Sequence, residues 1–210
     1  MIGIFGGTFD PVHYGHLRSA LEVKEIFGLD EVRLVPSAQP PHRNPPQASI
    51  GMRLDMLKLA VKKQHGFAID TREIARAGAS YMVLTLESLR QEFPGQALLL
   101  FIGSDAFNQL TGWYQWQRLF DFAHIIVLTR PGYRVGQLDD FFAARQVVDK
   151  QDLSQQLAGK LYFQAITQLD ISATAVRNII AGQRNPAFLL PDAVIAYIKE
   201  HKLYQAQREQ

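Results

Sequence analysis

IGIFGGTFDPVHYGHL, residues 2–17, is the stretch whose reading decides the fold. It begins with a short apolar run, IGIF at 2–5, and passes through two glycines and a polar turn. A helical pattern then covers 14–27, where Gly28 stops it. An apolar run leading through glycine into a helix is the opening of an α/β unit. Gly6 and Gly7 permit backbone conformations and a close approach that a side chain would block. The helix start beyond them offers unpaired backbone N–H groups and the positive end of a dipole, the usual setting for a phosphate. The spacing is neither G-x-G-x-x-G nor G-x-x-x-x-G-K-[ST], so neither the dinucleotide fingerprint nor a P-loop is present. His13 and His16, three residues apart, fall on one face of the first helical turn. The dipole there disfavours imidazolium unless an anion compensates, so a bound triphosphate would meet two donors. Gly15 leaves the surface between them bare. Two other readings stand at this point. The pair could ligate a metal with Asp10 as a third ligand, or the segment could be a plain surface helix start. No other His, Asp or Glu falls at evident ligand spacing. A plain start leaves Gly-Gly, Thr8, Asp10 and both histidines in one turn without a reason.

Outward from this unit the alternation continues. VRLVP at 32–36, FAID at 67–70, ALLLFI at 97–102, HIIVLT at 124–129 and KLYFQAI at 160–166 read as further strands. The most apolar have the composition of parallel strands buried on both faces. Helical patterns lie between and after them, at 50–65, 81–92, part of 104–121, 136–145, 174–181 and 191–200. This order predicts a Rossmann-like, doubly wound parallel α/β sheet with its ligand site at the carboxyl edge of the strands. One connection is unusual. Residues 36–49, PSAQPPHRNPPQAS, hold five prolines and the pair His42–Arg43. Proline stiffens such a loop and keeps it out of the sheet. It reads equally as a surface loop or as an arm presenting His42 and Arg43 to an anion.

The 210 residues fit a single domain spanning 1–210, with a small C-terminal helical part from about 171. A chain of this size buries about 70% of its unfolded surface, enough for a core without staples. The absence of cysteine excludes disulfides, thiolate metal sites and a cysteine nucleophile. A net charge of +2 is too mild for a nucleic-acid binder. There is no signal-peptide pattern, and no apolar run reaches the roughly 18 residues of a spanning helix. A cytoplasmic protein, with no membrane partner, is the expectation.

Near the other end stands ISATAVRN, 171–178, at the opening of a predicted helix. Ser172 and Thr174 read as capping hydroxyls, with Arg177 one turn on. Two hydroxyls, a helix start and a guanidinium make a second anion cradle, although alone they are also an ordinary N-cap.

Together the two segments resemble the signatures of the nucleotidylyltransferase superfamily, T/H-x-G-H and I-S-[ST]-T/S-x-[IV]-R. The resemblance implies that Gly6, Gly7, Thr8, Phe9, His13, His16, Ser172, Thr174 and Arg177 form a triphosphate site, with His13, His16 and Arg177 catalytic. PPHR at 40–43, SY at 80–81, IGSDAF at 102–107 and WYQWQRL at 113–119 followed by HIIVLTRPG resemble bacterial nicotinate mononucleotide adenylyltransferases. This likeness runs from Ile2 to about Tyr204. It implies a nicotinate ring stacked on Trp113, with its carboxylate near the backbone amides of Tyr81–Met82 and Tyr114. It also implies His42 and Arg43 near the mononucleotide, and Gly103, Asp105 and Arg130 around the adenosine. The chemistry agrees, since a flat ring suits an aromatic face and Asp105 can accept from ribose hydroxyls. Core packing remains the reading for Trp116, and a helix N-cap remains open for Asp105. Two departures stand out: Met82 where the family commonly has Thr, and Leu84 where Asp is frequent. They leave the preference for the acid over the amide ring open.

The implied reaction joins ATP to nicotinate mononucleotide, with Mg²⁺ carried by the ATP phosphates rather than by a protein metal site. A homo-oligomer is left open. Three rivals remain: adenylyl transfer to nicotinamide mononucleotide or to phosphopantetheine, a non-catalytic nucleotide-binding module, and a tRNA synthetase fragment. The last lacks a K-M-S-K-S-like segment. A hydrolase is disfavoured, because no serine nucleophile elbow or metal cluster is visible.

Overall fold

Strand alternation is written into the burial of each apolar run. In β4, Leu98–Gly103, the side chains of Leu98, Leu100 and Ile102 enter one core, and those of Leu99 and Phe101 enter another. β5, His124–Thr129, divides in the same way: Ile125 and Val127 against Ile126 and Leu128. A strand buried on both faces needs helices on both, and the computed structural model provides them. It describes residues 1–39, 45–76, 78–167 and 169–205.

The sheet has six strands in the order β3-β2-β1-β4-β5-β6, with every neighbouring pair parallel. The remaining strands are β1 (Ile2–Gly7), β2 (Glu31–Pro36), β3 (Phe67–Ile69) and β6 (Leu161–Ala165). This is the doubly wound order, and its direction reverses between β1 and β4, where a crevice opens beyond the strand ends. The first core holds α1 (Tyr14–Ile26) and α2 (Ile50–Val61), with α8 (Ala173–Ala181) and α9 (Asp192–Glu200). The second holds α4 (Met82–Glu92) and the short α5 (Ser104–Asn108), α6 (Leu119–Phe122) and α7 (Asp140–Ala143).

Helix ends follow local chemistry. Gly28 takes φ +58°, and the Leu29 N–H reaches the Lys24 carbonyl at 2.9 Å, closing α1 as a Schellman motif. Ser49 starts α2, its hydroxyl accepting from the Met52 N–H.

One expectation changes, one is refined and one element is new. The helix anticipated at 136–145 shrinks to Asp140–Ala143. Asp139 caps it by accepting from the Phe142 N–H, which fixes its start late. Beyond it, the Arg145 carbonyl and the Val147 N–H bond to Leu161, so the backbone at 145–147 lies along β6 instead of continuing a helix. The segment 104–121 breaks into α5, α6 and two 3₁₀ turns, with Gln115 at φ +50° between the turns. Finally α3, Arg72–Ala75, is a single turn that no periodicity announced. Among the described residues, no helix is long and apolar enough to cross a membrane.

Candidate active site

The carboxyl ends of β1 and β4 open into two cavities that share Gly6, Gly7 and Thr8. The polar one, about 700 Å³, is lined by the start of α1, by Gly103 and Asp105 after β4, and by Ser172, Thr174 and Arg177. The other, about 200 Å³, is lined by Val35, Leu100, Ile102, Met82 and the aromatic rings of Tyr81, Trp113 and Tyr114. The two sequence motifs therefore meet in one cleft, although they lie at opposite ends of the chain.

His13 is the residue that caps α1, and His16 lies in the first turn. Their rings stack with centroids 3.7 Å apart. The His13 N–H donates to His16 Nδ1 over a long 3.4 Å. With Nδ1 accepting, the ring nitrogen of His16 that can donate is Nε2. His13 is buried, and its pKa falls from the usual 6.5 to about 4 because burial disfavours the cation. At His13 desolvation, rather than the helix dipole, keeps the imidazole neutral. Gly15 has a sharper purpose than leaving a surface bare. A Cβ there would stand 2.9 Å from His13 Nδ1 and 3.2 Å from the Ile171 carbonyl. Only glycine lets the stacked ring and the second motif close on the same helix end.

Phe9 lines the polar cavity although the whole residue is only 1% exposed. Its ring packs in the first core, T-shaped against His16, and its φ is +51°. Asp10 is committed to structure: its carboxylate accepts from the Gln47 and Ala48 N–H groups and from the Tyr204 hydroxyl at 2.6 Å. That engagement and the stacked imidazoles argue against a His-His-Asp metal triad. Among the described residues, no group of three or more His, Cys, Asp or Glu could hold an ion.

Arg177 donates from Nη1 to the Asp10 carbonyl at 2.7 Å and from Nη2 to the Thr174 hydroxyl at 3.1 Å. Ser172 caps α8 by accepting from the Ala175 N–H, as expected. Thr174 does not cap; it lies one residue inside the helix and braces Arg177 instead. Asp105 is not the N-cap of α5 either. Gly103 is, and Asp105 faces the polar cavity from the first turn.

In the apolar cavity the rings of Tyr81 and Tyr114 lie 4.5 Å apart, and Trp113 completes the wall. Trp116 packs on Phe141 and Phe142 in the core, as expected. Met82 reaches close to Gly6: a Cβ at position 6 would stand 2.7 Å from its Cε. Leu84 packs against the second core and does not line the cavity. Arg130 stands beyond β5, two-thirds exposed and paired with Asp170 at 3.4 Å, and lines neither cavity. His42 and Arg43 lie outside the described residues.

Three residues were missed. Glu73 is buried beside the apolar cavity and accepts from the Thr85 hydroxyl at 2.6 Å; burial raises its pKa against the bonds from Thr85 and Ser80. Tyr204 holds Asp10 from the far end of the chain, and no sequence signal marks it. Arg53 lies 1% exposed beneath the phosphate turn. Its signal was a cation on the apolar stripe of α2, with Met56, Leu57 and Val61.

Comparison with known proteins agrees with this geometry. The family described as cytidylyltransferase-like matches residues 4–179. A probable nicotinate-nucleotide adenylyltransferase of Methylococcus capsulatus is 50% identical over 208 residues, covering 97% of this chain and 99% of that protein. A protein of the same name from Pseudomonas putida is 47% identical, covering 98% and 95%. Among solved structures, the nicotinic acid mononucleotide adenylyltransferase of Plasmodium falciparum complexed with NaAD superposes with a TM-score of 0.73 at 16% identity, over 97% of this chain and 96% of that one. That last likeness speaks for the fold; the identities speak for descent. On both, the chain belongs to the nicotinate-nucleotide adenylyltransferase family of cytidylyltransferase-like enzymes.

Proposed function

We propose that this enzyme transfers the adenylyl group of ATP to nicotinate mononucleotide, releasing pyrophosphate and forming nicotinate adenine dinucleotide for NAD biosynthesis. The supporting observation is the junction at Gly6–Thr8. There a polar cleft carrying two imidazoles and a guanidinium meets a small cavity walled by aromatic rings. A triphosphate suits the first and a flat pyridine ring the second, so the acceptor phosphate and the α-phosphorus of ATP come together between them.

The acceptor phosphate is already an anion, so attack on the α-phosphorus needs no general base. Negative charge spreads onto the equatorial oxygens and the departing pyrophosphate, and catalysis rests on position and electrostatics. His16 donates from Nε2 to the α-phosphate region. His13, stacked behind it, supports the β- and γ-phosphates, and Ser172, Thr174 and Arg177 hold the same end. Gly103 and Asp105 lie toward the adenosine, and Asp105 accepts from ribose hydroxyls. Trp113 stacks on the ring, with the amides at Tyr81–Met82 and Tyr114 toward its carboxylate. On the family likeness, His42 and Arg43 serve the mononucleotide and Arg130 the adenosine. Mg²⁺ accompanying ATP would neutralise phosphate charge without calling on a protein metal site. The aromatic slot favours a pyridine ring over the flexible arm of phosphopantetheine.

Incubating the protein with ATP and either nicotinate or nicotinamide mononucleotide tests this reading. The acid should give the dinucleotide and pyrophosphate at the higher kcat/KM; pyrophosphate from neither acceptor would overturn it. His16→Ala should lower kcat by about 100-fold or more with little change in ATP affinity. A loss confined to ATP binding would remove His16 from the transition state.

A further inference from the structure

A charged side chain 1% exposed is costly unless it has a task, and Arg53 has no ion pair among the described residues. Its partners are neutral carbonyls. Nη1 donates to Thr8 at 2.6 Å and to Ser37 at 2.8 Å, and Nη2 to Ala38 at 3.4 Å, while Nε is buried without a partner. The nearby negative group is Asp10, whose carboxylate also stands 3.9 Å from Arg177 Nη1. Asp10 thus acts electrostatically on both guanidinium groups.

The bond to Thr8 matters most. Among the described residues only Asp10–Pro11 is cis, so the Thr8–Phe9 peptide is trans and planar, and its C=O and N–H point in opposite directions. With the Thr8 carbonyl turned inward onto Arg53, the Phe9 N–H is turned away from α2. Thr8 and Phe9 both line the polar cavity, and Thr8 lines the apolar one as well. Phe9 holds φ +51°, a conformation a bulky residue keeps only when its surroundings impose it. A cation on the carbonyl both imposes that orientation and polarises the amide, strengthening the N–H as a donor.

We propose that Arg53 is a positioning residue for adenylyl transfer, its buried guanidinium orienting and polarising the Thr8–Phe9 peptide so that the Phe9 N–H donates to the phosphate at the junction of the two cavities. This rests on the adenylyl-transfer reading above. Arg53 touches no substrate; it acts through one peptide group. The charge it stabilises grows only as the bond to pyrophosphate breaks, so its removal lowers kcat and leaves ground-state ATP binding nearly intact.

The test compares wild type, Arg53→Lys and Arg53→Gln by kcat, KM for ATP and melting temperature, with ATP and nicotinate mononucleotide. Arg53→Gln keeps a neutral donor and should lose about 100-fold in kcat, with KM for ATP within about three-fold. Arg53→Lys restores the charge but not the fork, and should recover part of that loss, ending about 10-fold below wild type. The proposal is overturned if folded Arg53→Gln keeps kcat within about three-fold of wild type, if the loss lies in KM, or if the lysine variant is as impaired as the glutamine one. Should Arg53→Gln not fold, Arg53→Lys decides: an unchanged kcat overturns the proposal. Inactive wild type would instead refute the functional reading, so the two failures are separable.

Discussion

A methyl group at position 15 would meet the His13 ring and the Ile171 carbonyl at contact distances that neither can absorb without moving. Gly15→Ala should therefore destabilise the fold by about 1–3 kcal/mol. It should also cost activity beyond that expected from stability, measured as urea unfolding alongside kcat. His13 carries a second consequence at this scale. Its folded pKa of about 4 lies below the 6.5 of the unfolded chain, so between those values the unfolded state binds more protons. The contribution is present above pH 6.5 and is lost as pH falls toward 4, by up to about 3 kcal/mol at 1.36 kcal/mol per unit. Urea unfolding from pH 7.5 to 4.5 should show a steeper decline for wild type than for His13→Asn. Parallel slopes would show that the imidazole titrates normally in the fold.

The start of α8 binds structure to chemistry. Ser172 supplies its cap, while the Thr174 hydroxyl braces Arg177. Ser172→Ala should cost about 1 kcal/mol in chemical unfolding and raise KM for ATP, because a frayed first turn releases Arg177. An unchanged KM with the expected loss of stability would mean that the Asp10 carbonyl alone holds the guanidinium. The six strands and the two helix starts that meet in the polar cleft were legible because apolar runs, glycine turns and capping hydroxyls are local signals. Less legible were elements whose ends depend on distant partners. The 136–145 segment looks helical by itself, but its second half is diverted by Leu161. Thr174 looked like a cap because its helix partner Arg177 is just as local as the amides, and only the observed rotamers separate the two.

At the level of the whole molecule, Asp10 gathers the chain's first turn, the end of the proline-rich loop, α8 and the C-terminal segment. The Tyr204 hydroxyl is held protonated by burial first and by its hydrogen bond to Asp10 second, so it remains a donor across working pH. Tyr204→Phe removes one of the partners of a buried carboxylate and should cost about 1–3 kcal/mol in guanidinium unfolding. A variant as stable as wild type would show that the two amides and Arg177 satisfy Asp10 without it. Arg53 and Tyr204 escaped the sequence reading for one reason: each acts across the tertiary structure on a backbone group or side chain far along the chain, and spacing carries no record of that.

The same geometry sets the order of events during synthesis. Histidines 13 and 16 leave the ribosome long before the guanidinium that shares their cleft, which belongs to α8. A nascent chain with α8 still in the exit tunnel has half of that cleft. Nucleotide therefore cannot template folding from the first motif, and ligand stabilisation arrives as a late step that rewards only chains already translated through the second.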